Sequence, residues 1–138
     1  METIFSITVR STDLDGLGHV NNSVYFEYFE QARLEHLARM GFLPRYASGN
    51  SPKHWFAIGE TTCRYKAPAY YRDALLVKVK TTEVRLRSFA LAYEVTRESD
   101  AVLVAEGSSV QVWLDDRGHA APLPEAFKQA LECSRGSE

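Results

Sequence analysis

Asp15 stands in the run Ser11-Thr12-Asp13-Leu14-Asp15-Gly16-Leu17-Gly18-His19-Val20-Asn21-Asn22. A carboxylate here leaves a predicted strand, a glycine-broken loop follows, and an asparagine pair opens an amphipathic helix. A helix start carries backbone N–H groups with no internal partner, and such groups can hold negative charge as it builds on a substrate oxygen. A carboxylate that activates water or attacks directly, beside an oxyanion donor, is the minimum equipment for hydrolysing an activated ester or thioester. No G-x-S-x-G nucleophile elbow occurs in the chain. A thiolate leaves readily, so a strong general acid is not required. Asp15 also fits a plain turn cap before Gly16. Asp13 reads as an acceptor that stabilises the loop, and His19 either fixes the loop or acts directly. Asn21 and Asn22 are good helix caps, a role compatible with oxyanion binding.

The elements that must position these groups follow from hydrophobic periodicity. Residues 3–9 alternate and read as a half-buried strand. Residues 10–20 form a loop, and helix signals begin at Asn21-Asn22-Ser23. Tyr25, Phe26, Phe29, Ala32, Leu37 and Met40 recur at three- and four-residue steps, one buried stripe on a helix of about five turns that stops at Gly41. Glu35 and Arg39 are spaced as an exposed ion pair. Residues 43–53, with two prolines, read as a surface loop. The period then changes to two, predicting strands over 55–65, 75–86, 89–96 and 102–114, with a bulge near Thr81-Thr82-Glu83. Residues 124–131 read as a short final helix and about 133–138 as a flexible tail. Strand, long helix and an uninterrupted antiparallel meander make one α+β domain over 1–138, the helix packed on one face of a curled sheet. A second copy is the obvious cover for the opposite, partly apolar face.

The chain has 138 residues, 45% of them hydrophobic, and a net charge of -2. That composition is ordinary for a globular domain and lacks the basic footprint of a nucleic-acid binder. No apolar run approaches the roughly 20 residues of a membrane span, and the first residues do not read as a signal peptide, so the expected compartment is the cytoplasm. Cys63 and Cys133 lie far apart without metal-ligand spacing, and His36, His54 and His119 show none either. We therefore expect no metal and no cofactor. An anionic ligand would need a local basic cluster, for which Arg85 and Arg87, with Lys78 and Lys80 on the same predicted strand, are the candidates. The plainer alternative for the two arginines is a solvated strand face.

The run Thr12-Asp13-Leu14-Asp15-Gly16-Leu17-Gly18-His19-Val20-Asn21-Asn22-Ser23-Val24-Tyr25 resembles the N-terminal signature of the 4-hydroxybenzoyl-CoA thioesterase family and of the short acyl-CoA thioesterases associated with the bacterial Tol-Pal cluster. Tyr28-Phe29-Glu30-Gln31-Ala32-Arg33 and Tyr65-Lys66-Ala67-Pro68, followed by Asp73, fit the same pattern, and Arg85-Leu86-Arg87-Ser88-Phe89 is similar to the segment those enzymes place on CoA phosphates. The resemblance implies a hotdog fold, a long central helix wrapped by a curled antiparallel sheet of about five strands. It implies hydrolysis of acyl-CoA to free acid and CoA, with Asp15 as the catalytic carboxylate and the Asn22 N–H polarising the carbonyl. His19 and Tyr25 would complete the site, and Arg85, Arg87 and Ser88 would bind CoA. The acyl group would run past Tyr25, Phe29 and the strand at 55–62 of a neighbouring subunit. The assembly would be a homo-oligomer, a dimer or a dimer of dimers (a homotetramer). His19-Val20-Asn21-Asn22 also resembles the helix entry of plant acyl-ACP thioesterases, but Leu17 replaces their asparagine. Glu27, Glu30 and Glu35 read as solvated or structural, although another hotdog subgroup carries its carboxylate on the helix. The alternatives are an acyl-carrier-protein thioesterase and a non-catalytic acyl-CoA-binding module.

Overall fold

A computed structural model of the chain describes residues 1–42 and 55–136; the loop expected over 43–53 lies outside them. Strand β1 (Glu2–Thr8) is followed by a short 3-10 turn (Ser11–Asp13) and helix α1 (Val24–Arg39). Strands β2 (Trp55–Tyr65), β3 (Ala74–Val84), β4 (Ser88–Arg97) and β5 (Leu103–Leu114) come next, and helix α2 (Glu125–Gly136) closes the chain. All five strands join one curled antiparallel sheet in the order β1-β3-β4-β5-β2. The expected meander therefore holds only from β3 to β5. β2 crosses over to pair with β5, and β3 pairs with β1 instead. Alternation in sequence reports which residues face the core but not which strand is the neighbour, so this exchange was not legible.

Helix α1 has 16 residues, about four and a half turns, and is shorter than the expected long helix. Ser23 is its N-cap, and Asn21 and Asn22 lie in the turn before it. Gly41, at φ +89°, ends it in a conformation that suits glycine. The buried face is Val24, Tyr25, Tyr28, Phe29, Ala32, Arg33, His36 and Leu37. The buried face also takes in Tyr28, Arg33 and His36: Tyr28 and His36 find partners for their polar atoms, and Arg33 Nη1 donates to the Tyr93 hydroxyl at 3.2 Å while its Nε has no partner among the described residues. The Glu35–Arg39 pair forms at 3.5 Å on the exposed side. α2 runs through Gly136, past the point where a tail was expected. The bulge in β3 falls between Thr81 and Glu83.

The core lies between α1 and the sheet. Phe29 stacks on Tyr93 at 4.4 Å between ring centroids, and both are essentially inaccessible to solvent. Gly107 makes room for that stack. A Cβ there would strike Thr62 O and sit 2.6 Å from Phe29 Cε2. Beside this apolar centre, His36 is fully buried, its Nδ1 2.8 Å from Thr3 Oγ1 and its Nε2 2.9 Å from Thr81 Oγ1. Ser134 of α2 hydrogen-bonds Thr81 Oγ1 at 2.8 Å, so one imidazole links β1, α1, β3 and, through Thr81, α2. Burial, with the N-terminal amine and Arg39 adding repulsion, pushes the His36 pKa down to about 4. Among the described residues, no helix is long and apolar enough to cross a membrane.

Gly107→Ala is expected to cost about 1–3 kcal/mol through overpacking, read as a lower urea midpoint. The His36 pKa is depressed on folding, so between its unfolded value near 6.5 and about 4 the unfolded chain binds the extra proton. His36 is then without penalty above pH 6.5 and costs progressively more as pH falls, on the order of 3 kcal/mol once the window is crossed. Urea titrations from pH 7 to 4 should show this decline, and His36→Gln should lack it; equal pH slopes in the two proteins would refute it.

Candidate active site

The loop between β1 and α1 is organised by Asp13, only 2% exposed. Its carboxylate accepts from Arg10 N (3.0 Å), Arg10 Nη2 (2.8 Å) and the Tyr28 hydroxyl (2.9 Å). Burial alone would raise its pKa, but the hydrogen bonds from Arg10 and Tyr28 outweigh burial and hold it below the usual carboxylate range. The Asp13 carbonyl also accepts the Asn21 N–H at 2.9 Å. Asp13 is thus a loop-stabilising acceptor in the geometry.

Asp15 opens a tight hairpin. Its N–H donates to His19 O (2.9 Å), its carbonyl accepts Gly18 N–H (3.2 Å), and Gly18 turns the chain at φ +88°. Asp15 Oδ1 accepts the Leu17 N–H at 2.8 Å, while Oδ2 lies 3.5 Å from His19 Nδ1. The carboxylate is therefore a turn cap with one oxygen left toward the His19 ring. His19 bridges to Tyr70 through the backbone, and its ring meets the Tyr70 ring edge-on at 6.3 Å.

The chain then enters α1. Asn21 Oδ1 accepts Ser23 N–H (3.1 Å) and Ser23 Oγ (3.0 Å), and Asn21 O accepts Val24 N–H (2.9 Å). The peptide joining Asn21 to Asn22 is fixed by that carbonyl bond. In a trans peptide the N–H lies opposite the C=O, so the Asn22 N–H faces away from the first turn of the helix. Among the described residues, no acceptor is bonded to it. A groove of about 270 Å³ opens here, lined by His19, Val20, Asn22, Tyr25, Tyr65, Lys66, Ala67 and Pro68. Tyr25 forms its buried wall, 2% exposed, and burial raises its phenol to about 12. The Tyr65 ring meets it edge-on at 5.6 Å.

Asp15, His19, Asn22 and Tyr25 are thus gathered at one end of the sheet, with Asp15 behind His19 rather than on the groove wall. Tyr65 and Lys66 belong to the same groove. The sequence pattern contained both, but nothing in their local spacing shows that β2 ends against the start of α1. Arg85, Arg87 and Ser88 are elsewhere. β1 pairs with the start of β3 through Thr8 and Ala74, the Asp15 loop meets the chain just before it at Tyr70, and Arg85 follows the far end of this 11-residue strand, on the order of 30 Å away. Arg85 and Arg87 do not share a strand face, because β3 stops at Val84 and β4 starts at Ser88. They sit in the hairpin turn, where Arg85 pairs with Glu83 at 2.8 Å. Arg87 has no carboxylate partner among the described residues. A groove of about 450 Å³ beside this turn is lined by Glu83, Arg85, Ser88, Phe89, Gly59 and others. Lys78 is drawn to Glu2 (4.0 Å) and stands apart from this turn.

A second copy of the hairpin exists. Asp115-Asp116-Arg117-Gly118-His119 repeats the bonds, with Asp115 N–H to His119 O at 2.9 Å, Gly118 N–H to Asp115 O at 3.0 Å and Gly118 at φ +79°. It lies at the opposite end of the sheet, next to the Arg85–Arg87 turn, since Trp113 N–H donates to Arg87 O at 2.8 Å. Among the described residues, no group of three or more His, Cys, Asp or Glu is placed to hold a metal ion.

Comparison with known proteins bears on this geometry. A hypothetical protein of Thermus thermophilus superposes with a TM-score of 0.86 at 31% identity, over 97% of this chain and 98% of that one. A thioesterase of the same organism, in a crystal structure with coenzyme A and zinc, superposes at 0.81 with 30% identity, over 99% of this chain and 96% of that one. The long-chain acyl-CoA thioesterase of Escherichia coli strain K12 is 28% identical over 127 residues, 91% of this chain and 94% of that protein. The model of the thioesterase-like superfamily matches residues 9–131. That span runs from the end of β1 into α2 and includes both turns and the groove. The chain therefore belongs to the thioesterase-like superfamily, a hotdog hydrolase whose general chemistry is thioester hydrolysis.

Proposed function

We propose that the protein hydrolyses acyl-CoA thioesters to free acid and CoA, and that it belongs with the 4-hydroxybenzoyl-CoA and Tol-Pal-associated enzymes on the strength of its Thr12–Tyr25 signature. The observation that carries this reading is the Asn22 N–H, held clear of the helix with no acceptor of its own among the described residues, at a groove that ends on Tyr25. The thioester oxygen takes this N–H. As the carbonyl carbon becomes tetrahedral, the oxygen gains charge and the bond strengthens; one such donor lowers the barrier by about 3 kcal/mol. Asp15 either attacks the carbon and expels the CoA thiolate, leaving a mixed anhydride that water then cleaves, or it removes a proton from a water that attacks the carbon, after which the tetrahedral intermediate expels the thiolate. A second reading is favoured by His19 lining the groove while Asp15 Oδ2 stands 3.5 Å from its Nδ1. In it His19 is the base and Asp15 orients it.

The position of the arginines bears on assembly. An extended pantetheine arm is shorter than the distance between the Asp15 loop and the Arg85–Arg87 turn of one chain. If the turn binds CoA phosphates, those phosphates belong to a substrate whose acyl end lies in another protomer. We therefore propose a homo-oligomer, a dimer or dimer of dimers acting in the cytoplasm, in which two chains complete each site. Arg87 is the principal phosphate contact, because Arg85 must first leave Glu83.

A thiol-release assay over aliphatic and aromatic acyl-CoAs tests the chemistry. Asp15→Asn should fold, bind substrate and lose at least ~100-fold in kcat. Retained turnover would end the assignment. His19→Gln separates the two readings: a loss as large as that of Asp15→Asn selects the histidine as base, and a loss of a few-fold keeps Asp15 in the leading role. Arg87→Ala should raise KM for CoA esters and leave the matching N-acetylcysteamine thioesters unchanged; equal losses on both substrates would refute the phosphate contact.

A further inference from the structure

We propose that Tyr65 is a positioning residue for the oxyanion donor. It holds the Asn22 peptide so that the neighbouring Asn22 N–H stays presented to the groove. The inference rests on the reading of Asn22 given above.

The argument starts from the bonds around Asn22. Its carbonyl is where a regular helix would begin its hydrogen-bond ladder, with the N–H of Phe26 as partner. Here the Phe26 N–H is directed at Ser23 O instead, at 3.3 Å. The Asn22 carbonyl accepts the Tyr65 hydroxyl at 2.8 Å, a contact between residues 43 positions apart in sequence. The N–H of the same peptide, that of Ser23, donates to Asn21 Oδ1 at 3.1 Å. That peptide plane is therefore held at its oxygen by Tyr65 and at its nitrogen by Asn21. The plane before it is held by the bond from Val24 N–H to Asn21 O, 2.9 Å long. With both flanking planes fixed, φ and ψ of Asn22 have little freedom, and the one group not engaged among the described residues is the N–H.

Without the phenol, the Asn22 carbonyl is free to swing back toward the Phe26 N–H. The helix would gain a residue at its start, and the Asn22 peptide would rotate with it. The phenol is itself well placed to resist this. Its ring rests edge-on against the buried Tyr25 ring at 5.6 Å, and β2 and β5 pair through Tyr65 and Ala105. The clamp thus transmits the position of the sheet edge to the start of α1. A donor preset in this way needs no reorganisation as charge develops, the condition under which oxyanion donors are most effective.

Tyr65→Phe keeps the ring on Tyr25 and deletes only the hydroxyl. We expect kcat to fall about tenfold, the effect of one neutral hydrogen bond, with KM and melting temperature as in the wild type. The same factor should be lost on acyl-CoA and on the N-acetylcysteamine thioester of the same acid, because the clamp acts at the carbonyl and not on the nucleotide. Unchanged kcat overturns the proposal, as does a loss of kcat accompanied by a matching fall in melting temperature, which marks a merely structural contact. Asp15→Asn, assayed in parallel, tells the two ideas apart. If Asp15→Asn collapses while Tyr65→Phe turns over normally, the clamp alone is wrong. If Asp15→Asn retains turnover, the reading of the site fails and the clamp falls with it.

Discussion

The site depends on a buried carboxylate that takes no part in the proposed chemistry. Asp13 is taken out of water, which is costly for an ion unless its oxygens are satisfied, and donors from Arg10 and Tyr28 satisfy them. Those donors come from opposite directions. Arg10 leaves the end of β1, and Tyr28 is one turn into α1. The carboxylate thus ties strand exit to helix, and the Asp13 carbonyl ties the approach to that helix through Asn21. Between these two attachments the chain has only the hairpin of Asp15 to His19 to form. Asp15, His19 and Asn22 are thereby placed near one another by a residue that stands outside the groove.

The loop shows which parts of a site can be read from residues alone. The glycine-broken loop and the turn-capping role of Asp15 were legible because they are local: an aspartate accepts a main-chain N–H two residues on. The strand spans, the β3 bulge and the exposed Glu35–Arg39 pair were legible for the same reason. Partners distant in sequence were not. The exchange of β2 from β3 to β5 brings Tyr65 to Asn22, and no periodicity encodes that contact. Of the three cap candidates Asn21, Asn22 and Ser23, it is Ser23 that caps α1, because Asn21 uses its side chain on Ser23 in a turn before the helix. Alternation continues past Val84 and makes a strand face the plainer alternative for Arg85 and Arg87, while the register of β3 and β4 closes the hairpin there.

The two ends of the sheet carry different tasks. One holds the groove with Asn22, Tyr25 and Tyr65, and the other holds the arginine turn and a groove open to it. The sheet between them is continuous and its core is tightly packed, from the Phe29–Tyr93 stack to the space left by Gly107. Such interiors deform little. Movement within one chain therefore does not bring the Asp15 loop and the Arg85–Arg87 turn together. The separation is a fixed property of the fold, and it is what the proposed sharing of each site between two chains rests on.

The second hairpin sharpens what the first one means. Asp115 and His119 stand in the register of Asp15 and His19, with the same backbone bonds and the same glycine. Yet Asp115 Oδ1 accepts two N–H groups of its own turn, those of Arg117 and His119 at 2.9 and 3.0 Å, and the His119 side chain is exposed. Asp15 takes only one such N–H and leaves its other oxygen toward a half-buried His19. An aspartate and a histidine four residues apart thus frame this turn at both 15–19 and 115–119. The difference between a turn and a site lies in what borders it: at 15–19 a helix start that presents an N–H, a buried Tyr25 and a phenol from a distant strand. In the proposed reading, chemistry at this end of the molecule is a property of that neighbourhood, and the motif marks its address.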